Sequence, residues 1–130
     1  MKIITFVFDS FTGKEDMESL EKSIESISNK IIIVNSLEEV NAYDKGKNWF
    51  LILRKDEFLQ KELVDAISFY IKSTQYKCFS FFKIDAVDKF TLCPRLFHSE
   101  VKIDRHWMPI GLHKDQITNG LDGWVFGAHN

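Results

Sequence analysis

Apolar residues fall along the chain in two rhythms. KIITFVF at 2–8 runs without polar interruption and is rich in β-branched residues, the pattern of a strand covered on both faces. KIIIV at 30–34 and WFLIL at 49–53 repeat it. Between the first two, Met17, Leu20, Ile24 and Ile27 recur at helical spacing, with Glu18, Glu21, Lys22 and Glu25 largely on other faces. Thr12, followed three residues later by Glu15, forms a capping box that predicts the start of this helix. Ser36 opens a short helix or loop, and Gly46 punctuates before the third strand. A second amphipathic helix is predicted from Leu59, Leu63, Ile67 and Ile71, broadened by Phe58, Ala66 and Tyr70. The first half thus reads β-α-β-(short α)-β-α, which predicts a parallel sheet with right-handed crossovers.

From residue 76 the rhythm changes. YKCFSFFKI and KFTLCPRLF predict two strands joined near DAVD, and EVKIDRHW predicts one more. Such short, polar-interrupted strands fit an antiparallel addition at one edge of the sheet. The tail from Gly111 holds four of the six glycines and reads as loop, anchored by Trp124, Val125 and Phe126.

Composition narrows the class. With 130 residues, 45% hydrophobic and 14% aromatic, the chain has enough apolar surface for one core, so a single domain over 1–130 is expected rather than disorder. The net charge of -2 supplies no general field for nucleic acid or an anionic membrane. It is unevenly placed: residues 1–65 carry nine basic and thirteen acidic side chains, residues 66–130 eight and six with all four histidines. The second half is the better candidate for meeting an anion. Cys78 and Cys93 form no CxxC pair and read as reduced thiols. MKIITFVFDS reaches Asp9 too soon for a signal peptide or a spanning helix, and a cytoplasmic setting or assembly into a particle is expected.

In doubly wound sheets ligands sit beyond the carboxyl ends of the parallel strands, where Asp9, Asn35 and the quartet Arg54, Lys55, Asp56 and Glu57 fall. Over about residues 1–106 the chain resembles the inverting nucleotide-sugar glycosyltransferases of the GT-A fold, family 2-like. The resemblance is carried by IITFVFDSFTGKEDMESLEKSIESI, by IIIVNS, by LRKDEFL where relatives read roughly Leu-Asp-Ala-Asp-Glu and an apolar pair, and by CPRLFHSEVKIDRH. It implies a three-layer mixed α/β sheet. It also implies a donor site formed by Asp9, Asn35, Arg54, Asp56, Glu57, Arg95 and His106, and a divalent cation, manganese or magnesium, at Asp56 if the chain is active.

That cation would neutralise the leaving diphosphate. Here Arg54 replaces the first acid of the metal motif, a change of two charge units that repels a cation. Asn35 replaces an acid that in relatives contacts the nucleotide, and only about 60 residues follow the second helix. The plainer readings are that Asp56 and Glu57 cap that helix, and that Arg95 pairs with an acid from the sheet edge. Four histidines spaced 8, 7 and 16 apart match no compact zinc motif, although His106 or His113 falls where a relative's donor-site histidine does. No GxGxxG, P-loop or GxSxG occurs. Phe79, Phe81, Phe82, Phe90, Phe97, Trp107 and Trp124 load the second half with rings suited to protein contacts. The expectation is therefore a reduced, non-catalytic glycosyltransferase-like domain without a cofactor. It would act through protein partners or self-association in a larger assembly, with no nucleic acid or membrane, and its Lys-, Ile-, Phe- and Asn-rich composition is compatible with a viral source. The runner-up is an active transferase that takes its sugar from a nucleotide donor.

Overall fold

The computed structural model describes residues 2–8, 17–43, 46, 48–72, 75–118 and 120–127. The three apolar runs form β1 (Lys2–Phe8), β2 (Lys30–Val34) and β3 (Asn48–Arg54), with β1 parallel to both neighbours. Helix α1 (Glu18–Ile24) lies between β1 and β2 and buries Leu20 and Ile24; the Thr12–Glu15 capping box lies outside the described residues. Helix α2 (Leu37–Asn41) starts after Ser36, as its capping pattern predicts, and the Glu39 carboxylate accepts the Ser36 N–H at 3.0 Å.

After β3 the chain departs from the expected pattern. Phe58 and Leu59 do not begin a helix but form a two-residue strand, β4 (Phe58–Leu59), and α3 (Lys61–Tyr70) follows. Next come β5 (Cys78–Ile84) and β6 (Phe90–His98), antiparallel to each other as predicted. The expected strand at 100–107 is reduced to β7 (Lys102–Ile103), which pairs with β8 (Pro109–Ile110) in a hairpin apart from the main sheet. The tail is not loop: β9 (Leu121–Phe126) enters the main sheet, parallel to β5 and antiparallel to β4. Its glycines masked a strand pattern whose alternate residues face outward.

The main sheet is mixed, with seven strands in the order β2-β1-β3-β6-β5-β9-β4. Its curl follows from a length argument. β3 and β4 are four spacings apart in a flat sheet, about 19 Å. Residues 55–57 link them, a reach of at most about 14 Å. The sheet must bend to bring β4 back toward the end of β3.

Side chains alternate between two cores. On one face Ile3, Val7, Leu51, Leu53, Phe79, Phe81 and Val125 pack with Leu20 and Ile24 of α1 and with Leu63, Val64 and Ile67 of α3. On the other, Ile4, Phe6, Phe50, Ile52 and Phe97 pack with Val40 of α2 and with Val101 and Ile103. Two bulges break the ladders. In β6, Phe79 pairs with Leu96 but Ser80 with Pro94, so Arg95 is the extra residue. In β9, Phe81 pairs with Leu121 but Phe82 with Trp124, leaving Asp122 and Gly123 extra. Among the described residues no helix is long and apolar enough to cross a membrane.

Candidate functional site

The charged quartet at the end of β3 is a tight turn. Glu57 N–H donates to the Arg54 carbonyl at 3.0 Å, and Arg54 N–H donates to Glu57 Oε1 at 2.6 Å. This folds the Glu57 side chain inward, where it is 0% exposed. The β6 bulge aims Arg95 at it: Nη1 donates to Oε1 at 2.6 Å and Nη2 to Oε2 at 2.8 Å, a bidentate pair. Arg95 Nη1 also donates to the Ile52 carbonyl at 3.1 Å, just past the last β3–β6 pair, Leu51 with Leu96. Lys83 Nζ from β5 completes the cluster, 2.6 Å from Oε2. Gly127 closes it on another side, where an added Cβ would lie 2.8 Å from Glu57 Cγ.

Burial by itself would raise the Glu57 carboxyl. The charges and hydrogen bonds of Arg95 and Lys83, with the Arg54 N–H, outweigh it and bring the pKa down to about 2 from an ordinary 4.5. For Arg95, burial favours losing the proton, but Glu57 more than offsets this and holds the guanidinium charged. A carboxyl depressed in the folded state stabilises fully above its unfolded pKa and loses that contribution as pH falls through the folded one. Stability should therefore decline from about pH 5 toward pH 2, by on the order of 3 kcal/mol from this group. Urea midpoints measured across that range should fall in the native chain, and by much less in a chain whose cluster is replaced by methionines.

Above this cluster lies Trp107, whose backbone is in the left-handed region (φ 61°). Its N–H donates to the Asp104 carbonyl at 2.9 Å, and the Asp104 carboxylate accepts the N–H groups of His106 and Met108 at 2.8 and 3.0 Å. The Met108 bond is the main reason that this carboxyl sits below its ordinary range. So fixed, the indole packs edge-on to Phe8 at 4.8 Å, and the guanidinium carbons of Arg54 and Arg95 lie 5.0 and 4.8 Å from its ring centre.

These groups line an open pocket of about 490 Å³, together with Lys83, Lys89, Thr91, Cys93, Pro94, Arg105 and His106. Five permanent cations line it, and none of its described lining residues is acidic. A groove beside α1, lined by Glu18, Glu21 and Glu25, opens instead toward Lys30 at the start of β2, away from the strand ends.

Of the residues expected at a donor site, Arg54, Arg95 and His106 line the pocket and Glu57 lies beneath it. Asp56 is half-buried in the turn and is not among the pocket residues. Asn35 is exposed, its N–H donating to the Glu39 carboxylate, also outside the pocket. Asp9 lies outside the described residues. Glu57 does not cap α3, whose N-cap is Gln60; Arg95 does form a buried ion pair with it. His98 is buried against Trp49, with ring centres 5.3 Å apart, and burial and then Lys77 lower its pKa. His113 lies exposed beside Asp115, and His129 is outside the described residues. Among the described residues no three His, Cys, Asp or Glu side chains gather as a metal set.

Sequence reasoning passed over Lys83, Lys89, Arg105 and the positioning role of Trp107. A lysine between Phe82 and Ile84, and an arginine beside His106, were the available signals. No family model matches the chain, and no curated protein matches it.

Proposed function

We propose that the chain is a reduced glycosyltransferase-like domain of GT-A type that does not catalyse sugar transfer and serves as a protein-contact module in a larger assembly. The observation that carries this reading is an uncovered aromatic face. Phe82 and Ile84 of β5 pair with Leu92 and Phe90 of β6 and with Trp124 and Phe126 of β9, and Phe126 pairs with Phe58 of β4. Paired residues share a face, so seven apolar side chains form one band across four strands. Phe90 is 60% exposed, Leu92 50%, Phe58 39% and Phe82 37%. Ring contacts join them: Phe90 to Trp124 at 5.0 Å, Phe82 to Trp124 at 5.8 Å and Phe58 to Phe126 at 5.3 Å. A contiguous exposed aromatic band of this kind marks a contact surface.

The competing reading, an active transferase, is favoured by the basic pocket at the strand ends and opposed by Glu57. Both oxygens of that carboxylate are already held by Arg95 and Lys83, so a divalent ion would have to displace buried cations. Among the described residues of that turn, Asp56 is the other acid, and it does not line the pocket.

Sedimentation of the native chain should show concentration-dependent association or binding of an apolar dye. Phe90→Ser with Leu92→Lys should abolish either while the unfolding midpoint changes little. A chain that stays monomeric at millimolar concentration and binds no dye rules out the contact surface. Manganese-dependent hydrolysis of uridine or guanosine diphosphate sugars, lost on Asp56→Ala, rules out the non-catalytic reading.

A further inference from the structure

We propose that the outer edge of β2, beside the groove next to α1, takes up an extended basic segment of another protein as an added strand. This surface is separate from the aromatic band, and its role holds whether or not that band binds anything.

β2 ends the main sheet, and among the described residues no strand pairs with its outer side. Asn29, just before it, donates its N–H inward to the Ile3 carbonyl at 2.8 Å. Backbone direction alternates along a strand, so the N–H groups of Ile32 and Val34 point away from β1. Proteins normally blunt such an edge with a bulge, a proline or an inward-pointing charge. β2 pairs with β1 without a register shift, contains no proline and carries its one charge, Lys30, at its first position.

The side chains along this edge are apolar. Ile31 and Ile33 pair with Thr5 and Val7 of β1, which places them on the α1 side of the sheet. α1 buries Leu20 and Ile24 in the core that holds Ile3 and Val7 but stops short of β2, leaving Ile31 36% and Ile33 53% exposed. A neighbouring strand would cover both while it satisfied the open backbone groups.

Charge selects the neighbour. Glu18, Glu21 and Glu25, spaced three and four apart, line a groove of about 570 Å³ between α1 and β2, together with Lys22 and Lys30. Glu38 and Glu39 follow β2, so residues 18–39 carry five acidic and two basic side chains. From Glu18 to Glu25 the helix rises about 10 Å, the length of about three strand residues. On an added strand every second side chain faces α1. Lysine or arginine at those positions lays its stem on Ile31 and Ile33 and carries its charge to the glutamates. A second copy of the chain fits poorly, because pairing two β2 edges about a twofold axis sets two such acid-rich stretches on one face.

The test uses the whole chain and blocked peptides of about nine residues, long enough to pair along all of β2. Fluorescence anisotropy at low ionic strength should show saturable binding of a peptide that alternates threonine and arginine. A peptide of the same composition with its arginines contiguous should bind at least about fivefold more weakly, since only alternation matches the pleat. N-methylation of alternate residues in one phase should abolish binding, and in the opposite phase should leave it, because one side of the added strand faces β2. Glu21→Lys and Ile33→Lys, both at exposed positions, should each weaken binding about fivefold or more at an unchanged unfolding midpoint. Amide exchange at Ile32 and Val34 should slow when the peptide is bound. Strand addition is ruled out if no peptide binds, if the contiguous peptide binds as tightly, if both methylated phases bind alike, or if Glu21→Lys changes nothing. Dimerisation of the native chain that is lost on Ile33→Lys, with no peptide bound, assigns the edge to a second copy and overturns the basic partner.

Discussion

Glu57→Ala is expected to lower folding stability by about 3–5 kcal/mol, the usual result of removing one partner from a buried ion pair. The cost comes mainly from what stays behind. Arg95 and Lys83 are 3% and 2% exposed, and without Glu57 two cations remain in a low-dielectric interior without the carboxylate that neutralises them. Glu57→Gln should recover little, because a neutral amide preserves shape but not charge. Replacing Glu57, Arg95 and Lys83 together with methionine should return much of the loss, since exchanging a buried ionic cluster for apolar groups of similar volume is often nearly neutral. Guanidinium unfolding of the four proteins separates these outcomes. A Glu57→Ala loss below about 1 kcal/mol, in the range of an exposed pair, would mean that the cluster is hydrated.

Gly123→Ala should be comparably damaging for an unrelated reason. Gly123 lies in the β9 bulge at φ +96°, and an added Cβ would fall 2.4 Å from the Leu63 backbone nitrogen in the first turn of α3. That atom is main chain and cannot swing aside. The position is fixed from both sides, because Gln60 N–H donates to the Trp124 carbonyl at 2.9 Å. Backbone strain and overpacking together are expected to cost about 3 kcal/mol or more. Gly111 is the control: its φ is +80°, but nothing lies within 4 Å of its would-be Cβ. Gly111→Ala should show the conformational cost alone, about 1–2 kcal/mol. Equal effects of the two substitutions in thermal unfolding would refute the close approach of α3 to β9.

The parts of this fold legible in the sequence are those where one period dominates. KIITFVF, KIIIV and WFLIL announce buried parallel strands because both faces are covered, and α3 announces itself through Leu63 and Ile67. β9 was illegible because LDGWVF has its bulge at Gly123 and shows its apolar residues to solvent on one face, so neither rhythm survives. Within the site, Arg95 could be read as half of an ion pair, but its partner could not. Glu57 looks like an ordinary first-turn acid, and only the curl of the sheet turns it away from α3 and into the interior. Lys83 was hidden for the same reason, since it takes an inward position of β5 and depends on a partner 26 positions earlier in the chain.

The place of β9 has a consequence for how the molecule is made. It lies between β5 and β4, so two strands synthesised before it have no contact with each other until it arrives. Until then α3 lacks one of the strands it packs against, and the β5 and β4 edges present unpaired amides beside Phe58 and Phe82, a ready template for joining another chain. Such distant pairings make for a slow final step. The sequence therefore completes its sheet late, and an interrupted or nicked product should aggregate rather than persist as a smaller folded unit.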